Sequence, residues 1–201
     1  MFEGPTTRHP ILTRRQMLMT GAAALVVASG LPGGGAIGDD GAQSIVVCRL
    51  TPWDAKAAEF AVRATLIRQD SDGVGGRLNF TSVDPNAPAT RVPWEYAQPG
   101  RYTIGELFIS DPKQHHVARM DYAQTVSQPS LRQFDFAVDI PSGTPCYIGD
   151  LVYELLAPDA NGVVGALITD VASELKETQE AFDTVFPNSP PLVETLMSPV
   201  G

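Results

Sequence analysis

The chain has 201 residues, of which 43% are hydrophobic and 18% are charged, and its net charge at pH 7 is −9. This composition is typical of a globular domain and excludes a disordered or fibrous chain. The excess of acidic side chains argues against nucleic acid and anionic lipid as partners, because their phosphates would be repelled.

The first 36 residues have the pattern of an export signal rather than of folded structure. Arg14 and Arg15 precede an apolar stretch that runs from Met17 to Leu31, and the small residues up to Ala36 offer a cleavage site. This pattern is typical of a twin-arginine (Tat) signal, and an ordinary Sec signal is the alternative. The apolar stretch is too short for a membrane-spanning helix. We therefore expect the signal to be removed on export to the periplasm, leaving a mature chain without a membrane span.

After a Gly- and Asp-rich lead-in at 37–43, the chain contains short runs that alternate apolar and polar residues. Such period-two runs, bounded by Gly, Pro and Asp, predict half-buried β-strands. The second run could begin as a helix, because Ala, Lys and Glu are good helix formers, but its alternation favours a strand. The predicted strands are 44–50, 59–68, 77–83, 101–110, 134–140, 147–153 and 162–168.

The stretch from Phe134 to Tyr153 is predicted to organise the domain as two strands joined by a corner at 141–143. The simple alternation of the second strand places one apolar set on one face and a mixed set on the other. The first set is Tyr147, Gly149, Leu151 and Tyr153, and the second is Ile148, Asp150 and Val152.

Two segments between the strands are predicted to be loops. Four prolines in 84–99 exclude a helix or a central strand, and Trp94 and Tyr96 are expected to fold back as a lid over one end of the core. These aromatic rings could alternatively face a ligand. The polar segment 111–130 is long for a loop, and 117–122 within it could form a short strand or a turn.

The last segment, 169–201, changes to helical spacing. Asp170 is a plausible N-cap, the apolar residues that follow share one face, and the helix is expected to end before Pro187. A second short helix is predicted at 192–197. The whole pattern predicts an antiparallel β-sandwich of about seven strands over 44–168, with a short C-terminal helical tail packed on it.

The strand residues also carry a resemblance to known proteins. The pattern is Pro99-Gly100-x-Tyr102-x-Ile104 followed by Phe136-x-Val138, Gly143 and Tyr147-Ile148-Gly149-x-Leu151. It resembles a group of small exported bacterial β-sandwich proteins of uncharacterised function, similar to carboxypeptidase-regulatory or transthyretin-like domains. The resemblance covers 44–168 and implies that the Pro-Gly-x-Tyr and Tyr-x-Gly strands are neighbours. It implies no catalytic residue, and the chain departs from lipid-anchored members by lacking an anchoring cysteine.

Two cysteines, Cys48 and Cys146, lie in predicted strands. An oxidising periplasm permits a disulfide between them. The alternative is two buried thiols that pack as small apolar groups.

The polar residues give no firm site for chemistry. His115 and His116, with Asp111 and Asp121 nearby, are the best candidates for a metal site, but adjacent residues of an extended chain point to opposite sides. Solvated loop histidines are the preferred explanation. The chain has no Gly-x-Ser-x-Gly motif and no dinucleotide fingerprint. We therefore assign no catalytic, cofactor-binding or metal-binding residue and expect no cofactor.

These observations favour a non-enzymatic periplasmic protein that binds or scaffolds an unidentified protein or ligand of the cell envelope. Sheet edges and the loops 84–99 and 111–130 are the expected contact surfaces. The alternative is a metal-binding or hydrolytic accessory protein that uses His115, His116 and the nearby acids.

Overall fold

The computed structural model describes residues 42–69, 76–82, 92–111, 116–160 and 162–200, with only the backbone of His116. The strands in these ranges form two sheets. Sheet A contains β1 (Ser44–Pro52), β4 (Trp94–Ala97), β8 (Cys146–Leu155), β9 (Ala166–Ala172) and β10 (Val193–Glu194). Sheet B contains β2 (Ala61–Arg68), β3 (Arg77–Thr81), β5 (Gly100–Asp111), β6 (His116–Asp121), β7 (Phe136–Ile140) and β11 (Ser198–Pro199). Two helices, α1 (Tyr122–Val126) and α2 (Leu175–Val185), complete the described part, with 3₁₀ turns at Ala57–Glu59 and Arg132–Phe134.

Each sheet is built around one long strand. In sheet A, β8 pairs with β1 along one edge, and with β10 and then β9 along the other. In sheet B, β5 pairs with β2 along one edge, and with β7 and then β6 along the other. The chain passes from sheet B to sheet A between β7 and β8, which is the corner predicted at 141–143.

The predicted β-sandwich with a C-terminal helix is confirmed, with two differences. Sheet A is mixed rather than antiparallel, because β1 and β10 both run parallel to β8. More strands are present than the seven predicted, because the polar segment contains β6, the proline-rich segment contains the edge strand β4, and the C-terminal segment contains two strands of two residues each.

The C-terminal segment differs most from its prediction. Asp170 lies inside β9, which pairs with β8 as far as Ala172, so α2 begins later, with Glu174 at its N-cap. The second helix predicted at 192–197 is wrong. Its residues are extended because β10 pairs with β8 of sheet A, and β11 then pairs with β7 of sheet B. The end of the chain therefore joins both sheets.

The two strands that the resemblance makes neighbours, β5 and β8, lie in opposite sheets. Tyr102 of β5 pairs instead with Val138 of β7. The Tyr102 hydroxyl donates a hydrogen bond to the carbonyl of Gln98, four residues upstream, at 3.0 Å. This arrangement is the tyrosine corner found in β-sandwiches with Greek-key connections. The Pro-Gly-x-Tyr motif thus fixes the entry of the chain into β5.

The core lies between the sheets and contains apolar residues of both. Three buried tyrosines belong to it, and each hydroxyl bonds to backbone, as buried polar groups must. Tyr122 donates to the carbonyl of Phe134 at 2.8 Å, and Tyr153 donates to the carbonyl of Phe60 at 3.2 Å. Each fully buried side chain of this size contributes about 2 to 3 kcal/mol through removal of apolar surface from water.

Both central strands contain a β-bulge at a glycine. In β8, Val47 pairs with Tyr147 but Arg49 pairs with Asp150, so β8 has one extra residue, and Gly149 in this segment has a φ of +105°. In β5, Thr65 pairs with Glu106 but Leu66 pairs with Ile104, so the extra residue is Gly105. An extra residue exchanges the two faces of a strand beyond it.

The bulge overturns the predicted faces of β8. The residues that belong to the interior core are Cys146, Ile148, Leu151 and Tyr153, whereas Tyr147 packs on the outer side. The predicted set of Tyr147, Gly149, Leu151 and Tyr153 therefore does not share a face. Without the bulge, the alternation that points Ile148 inward would also point Asp150 into the apolar interior, where an ionised carboxylate is very costly.

The outer face of sheet A is covered by the chain itself. Phe182 of α2 packs with Tyr147 and Val47 in a second apolar cluster. Trp94 packs against this cluster, with its ring centroid 5.0 Å from that of Phe186. The predicted lid over one end of the core is therefore wrong for Trp94, which lies on the outer side of sheet A, while Tyr96 is 45% exposed. Both faces of β8 are buried in consequence.

The two cysteines are free, fully buried thiols. Cys146 pairs in register with Val46, so Cys48 lies diagonally across the two strands. Ordinary strand spacings place such diagonal Cα atoms about 8 Å apart, beyond the reach of about 7 Å for an undistorted disulfide. The structure thus favours the alternative of two buried thiols.

We expect the buried thiols to make the fold sensitive to alkali. Burial raises the pKa of Cys146 from its ordinary 9.0 to about 12, and burial, with a smaller contribution from Asp150, raises the pKa of Cys48. A raised pKa means that the native state holds the proton more tightly than the unfolded chain. The contribution of the protonated thiols to the free energy of unfolding is therefore complete below pH 9 and is lost as the pH rises towards 12.

Denaturant titrations across this pH range test the expectation. The free energy of unfolding should fall with rising pH, and should fall less steeply when both cysteines are replaced by alanine. The pH dependence that remains in this variant should come from buried Tyr122 and Tyr147, because burial also raises their pKa values. An identical slope with and without the cysteines would contradict the assignment.

Candidate functional site

The outer face of sheet B differs from that of sheet A because its charged side chains are exposed. Arg63 of β2, Arg77 of β3 and Arg119 of β6 all point outward and are exposed to solvent. They surround Phe108 and Glu106 of the central strand β5. We call these five residues the arginine face.

Two arginines flank an aromatic ring in one row across three strands. Arg63 pairs with Phe108, and Phe108 pairs with Arg119 on its other side. The guanidinium carbon of Arg63 lies 4.2 Å from the centroid of the Phe108 ring, within the range of a cation–π contact. Stacking fixes the plane of the guanidinium while its N–H donors lie in that plane. Arg63 is therefore oriented in advance for a planar anionic group.

The next row towards the bulge contains the only acidic member of the arginine face. Glu106 is 7% exposed, and the Arg119 guanidinium donates to its Oε1. The Arg77 Nη1 atom lies 3.5 Å from Oε2. The bulge at Gly105 turns this carboxylate outward, where the two arginines can compensate its charge. The arginine face thus combines three positive charges with one negative charge.

This geometry suits the recognition of anionic groups. Guanidinium groups bind carboxylates and phosphates through paired N–H donors, and arginine and aromatic residues contribute much of the energy in protein interfaces. With Asp121, which pairs with Glu106 across the β5–β6 ladder, this region carries three positive and two negative charges on a chain whose net charge is −9. An acidic or carboxylate-bearing partner is therefore favoured at this face, whatever the average charge of the chain.

A second polar cluster lies on the opposite side of the sandwich, under α2. The Tyr147 hydroxyl donates to Oδ1 of Asp150 at 2.6 Å and accepts from the backbone N–H of Glu174 at 3.1 Å. Asp150 is fully buried, and Arg49 Nε is 3.7 Å from its Oδ2. Burial, with the hydrogen bond to Asp150, raises the pKa of Tyr147. The phenol stays protonated at neutral pH, and the cluster fastens the start of α2 to sheet A.

The histidines singled out in the sequence are only partly described. His115 lies outside the described residues, and the backbone of His116 pairs with Asp111 across the β5–β6 ladder. Asp121 lies at the other end of β6, about 17 Å from His116 at the ordinary rise of a strand. It is the N-cap of α1, accepting from the N–H of Gln124 at 2.9 Å. In the described ranges no group of three or more His, Cys, Asp and Glu residues could hold a metal ion.

The remaining sequence predictions are tested only in part. Arg14, Arg15 and the cleavage site at Ala36 lie outside the described residues, as does the first half of the loop 84–99. In the part of the chain that the structure describes, no helix has the length and apolar character needed to cross a membrane.

The residues of the arginine face were not identified from the sequence. Arg63 and Arg77 lie in predicted strands, whereas Arg119 lies in the segment 111–130, which the sequence predicts to be a loop. Simple alternation of β5 places Glu106 and Phe108 on the face of Tyr102 rather than outward, and 45 residues separate Arg63 from Phe108. An arginine on a strand is usually a solvated surface residue, and a phenylalanine there is usually part of the core. Only the register of β2, β5 and β6 brings them into one row, and no signal within a single strand reports that register.

The comparisons with known proteins add no family. Neither the protein-family models, the curated proteins nor the solved structures give a match to this chain. The resemblance to carboxypeptidase-regulatory or transthyretin-like domains therefore stays a prediction.

Proposed function

We propose that this protein is an exported, non-enzymatic binding module of the cell envelope, and that the arginine face is its contact surface. The observation that carries the proposal is the row Arg63–Phe108–Arg119, exposed on the outer face of sheet B. The occupant that suits this row is an acidic segment of an envelope protein. The sheet edges and loops predicted as contact surfaces become secondary to it.

The contrast between the two outer faces supports the proposal. Both sheets carry a bulge carboxylate on the outer side, Asp150 in sheet A and Glu106 in sheet B, each compensated by arginine. Asp150 is fully buried, and the Tyr147 hydroxyl joins it to the backbone at the start of α2. The equivalent region of sheet B keeps its arginines in solvent. A partner segment would desolvate these arginines, as the chain's own residues desolvate Asp150, and electrostatic contacts strengthen when water is excluded.

Replacing both arginines of the row with alanine tests the proposal. We expect Arg63→Ala with Arg119→Ala to weaken partner binding at least tenfold, because two charge-assisted contacts of about 1.5 kcal/mol or more are lost. The measurement is native mass spectrometry of the protein recovered from the periplasm, comparing the fraction that carries a bound partner. Raised salt should weaken the wild-type complex as well.

A matched control variant distinguishes the loss of the contact surface from a general loss of positive charge. Arg132→Ala with Lys176→Ala removes the same charge from exposed positions outside the strands of sheet B, in the 3₁₀ turn Arg132–Phe134 and in α2. The control should keep its partner. Equal loss of the bound partner in both double variants would contradict a specific contact surface. Retention of the partner by Arg63→Ala with Arg119→Ala, in a variant whose thermal unfolding midpoint is unchanged, would contradict it as well.

The export proposal rests on the twin-arginine pattern at Arg14 and Arg15. The denatured mass of the same recovered protein should correspond to a chain that begins after Ala36. An intact mass that includes residues 1–36, or the absence of the protein from the periplasm, would contradict export by this route.

A further inference from the structure

An exposed tryptophan lies at the end of sheet A, on the side of the sandwich where β1 ends. Trp53 follows β1 directly and is 63% exposed, the most exposed large apolar side chain of the described part. A groove of about 320 Å³ lies beside it, and its volume is in the range of small-ligand sites. Trp53, Asp54, Lys56, Glu154 and Leu155 line the groove.

The tryptophan is held on a rigid support. Its backbone N–H donates to the carbonyl of Tyr153 at 2.9 Å, which continues the β1–β8 ladder by one residue. Asp54 Oδ1 accepts from the N–H of Ala57 at 2.7 Å, so the turn that follows is capped. The buried Tyr153 hydroxyl bonds to the carbonyl of Ala57 at 3.3 Å from below. An exposed aromatic ring on an ordered turn binds a ligand with little loss of entropy.

The charges of the groove limit what it can bind. Asp54 and Glu154 would repel an anion, and Lys56 offsets part of the attraction that these two carboxylates have for a cation. Together they offer hydrogen-bond acceptors and a donor, which match the hydroxyl group because it both donates and accepts. The flat indole of Trp53 offers an apolar surface at one side. A neutral ligand with many hydroxyls and one flat apolar face fits all four groups.

We propose that this groove is a binding site for a neutral saccharide, with Trp53 stacked on a sugar ring and Asp54, Lys56 and Glu154 bonded to its hydroxyls. The groove shares no residue with the arginine face, so this proposal can be tested independently of the function proposed above.

Tryptophan fluorescence tests this site directly, because Trp53 and Trp94 are the only two tryptophans in the chain. The probes are maltohexaose, cellohexaose and chitohexaose as neutral oligosaccharides, with oligogalacturonate and deacetylated chitohexaose as anionic and cationic comparisons. The full mature chain is titrated with each probe, alongside Trp94→Phe and Glu154→Gln. Trp53→Ala lacks the reporting indole, so its binding is measured by isothermal titration calorimetry beside the wild type.

We expect at least one neutral oligosaccharide to change the emission at up to millimolar concentration. Trp53→Ala should lower the association constant at least tenfold, Glu154→Gln should lower it severalfold, and Trp94→Phe should leave it unchanged. Arg63→Ala with Arg119→Ala should also leave it unchanged. The proposal is overturned if only the charged probes bind, if no neutral probe binds, or if binding survives in Trp53→Ala.

Discussion

Replacing Gly149 with alanine is expected to lower the free energy of unfolding by about 3 kcal/mol, because strain and overpacking act together there. Gly149 has a φ of +105°, which residues with a side chain rarely adopt. An added Cβ would overlap the side chain of Val171 and lie 3.3 Å from Leu196. The change would also disturb the bulge that points Asp150 away from the core. Urea denaturation of the variant and wild type measures the loss.

Gly162→Ala is the matched control for this prediction. Gly162 also has a positive φ, +78°, but an added Cβ would meet nothing within 4 Å. It should therefore cost only the backbone strain, about 1 kcal/mol. Equal losses at Gly149 and Gly162 would show that strain alone acts, and that the close packing of Gly149 against β9 is not important.

Replacing Asp150 with alanine is expected to lower the free energy of unfolding by about 3 kcal/mol and to loosen α2. The change removes the acceptor at 2.6 Å from the buried Tyr147 hydroxyl, which keeps the more distant carbonyl of Ala172 at 3.4 Å. It also removes the carboxylate that faces Arg49. Because the same hydroxyl accepts from the N–H of Glu174, the start of α2 loses its fixed anchor. Hydrogen exchange should become faster in α2 than in the central strand β5.

Two further variants identify the cause of that loss. Asp150→Asn keeps an acceptor for Tyr147 and should cost less than Asp150→Ala, whereas Tyr147→Phe should cost about 1 to 3 kcal/mol. The losses of Tyr147→Phe and Asp150→Ala should be far from additive in the double variant, because they break one hydrogen bond. Additive losses, or unchanged exchange in α2, would contradict the role of the cluster in fastening this helix.

The strands of the sandwich could be predicted because each alternates over enough residues to reveal its period. The run 59–68 predicts β2, and the run 101–110 predicts β5, although the first also contains good helix formers. Burial on one face decides these cases, since tertiary packing overrides the weak preference for helix. The tail could not be predicted as well, because residues 192–199 are extended only through pairing with β8 and β7.

Simple alternation of apolar and polar residues gives the wrong faces for the residues beyond the two bulges. The residues 147, 149, 151 and 153 form a plausible apolar set, and only the register against β1 shows the extra residue. A signal was nevertheless present. The pattern Ile-Gly-acid-Leu occurs at Ile104–Leu107 and again at Ile148–Leu151. Unbroken alternation would place the acidic residue on the same face as a core isoleucine, a conflict that a glycine bulge removes.

The arginine face and the groove at Trp53 lie beyond what the sequence could predict. Arg63, Phe108 and Arg119 come from three strands, and their common row depends on two registers. Trp53 follows a strand and precedes a turn, a position where many tryptophans turn back into the core. Its exposure depends on where Tyr153 and the 3₁₀ turn hold the backbone.

The central claim, that the arginine face is the contact surface, is tested most directly by photo-cross-linking in the periplasm. A photoreactive amino acid is placed at Val117, which is 61% exposed and shares the face of Arg119, and separately at Thr184, exposed on α2 across the sandwich. We predict a discrete cross-linked species from position 117, lost when Arg63 and Arg119 are alanine, and none from position 184. Cross-linking from position 184 alone, or equally from both, would contradict the assignment.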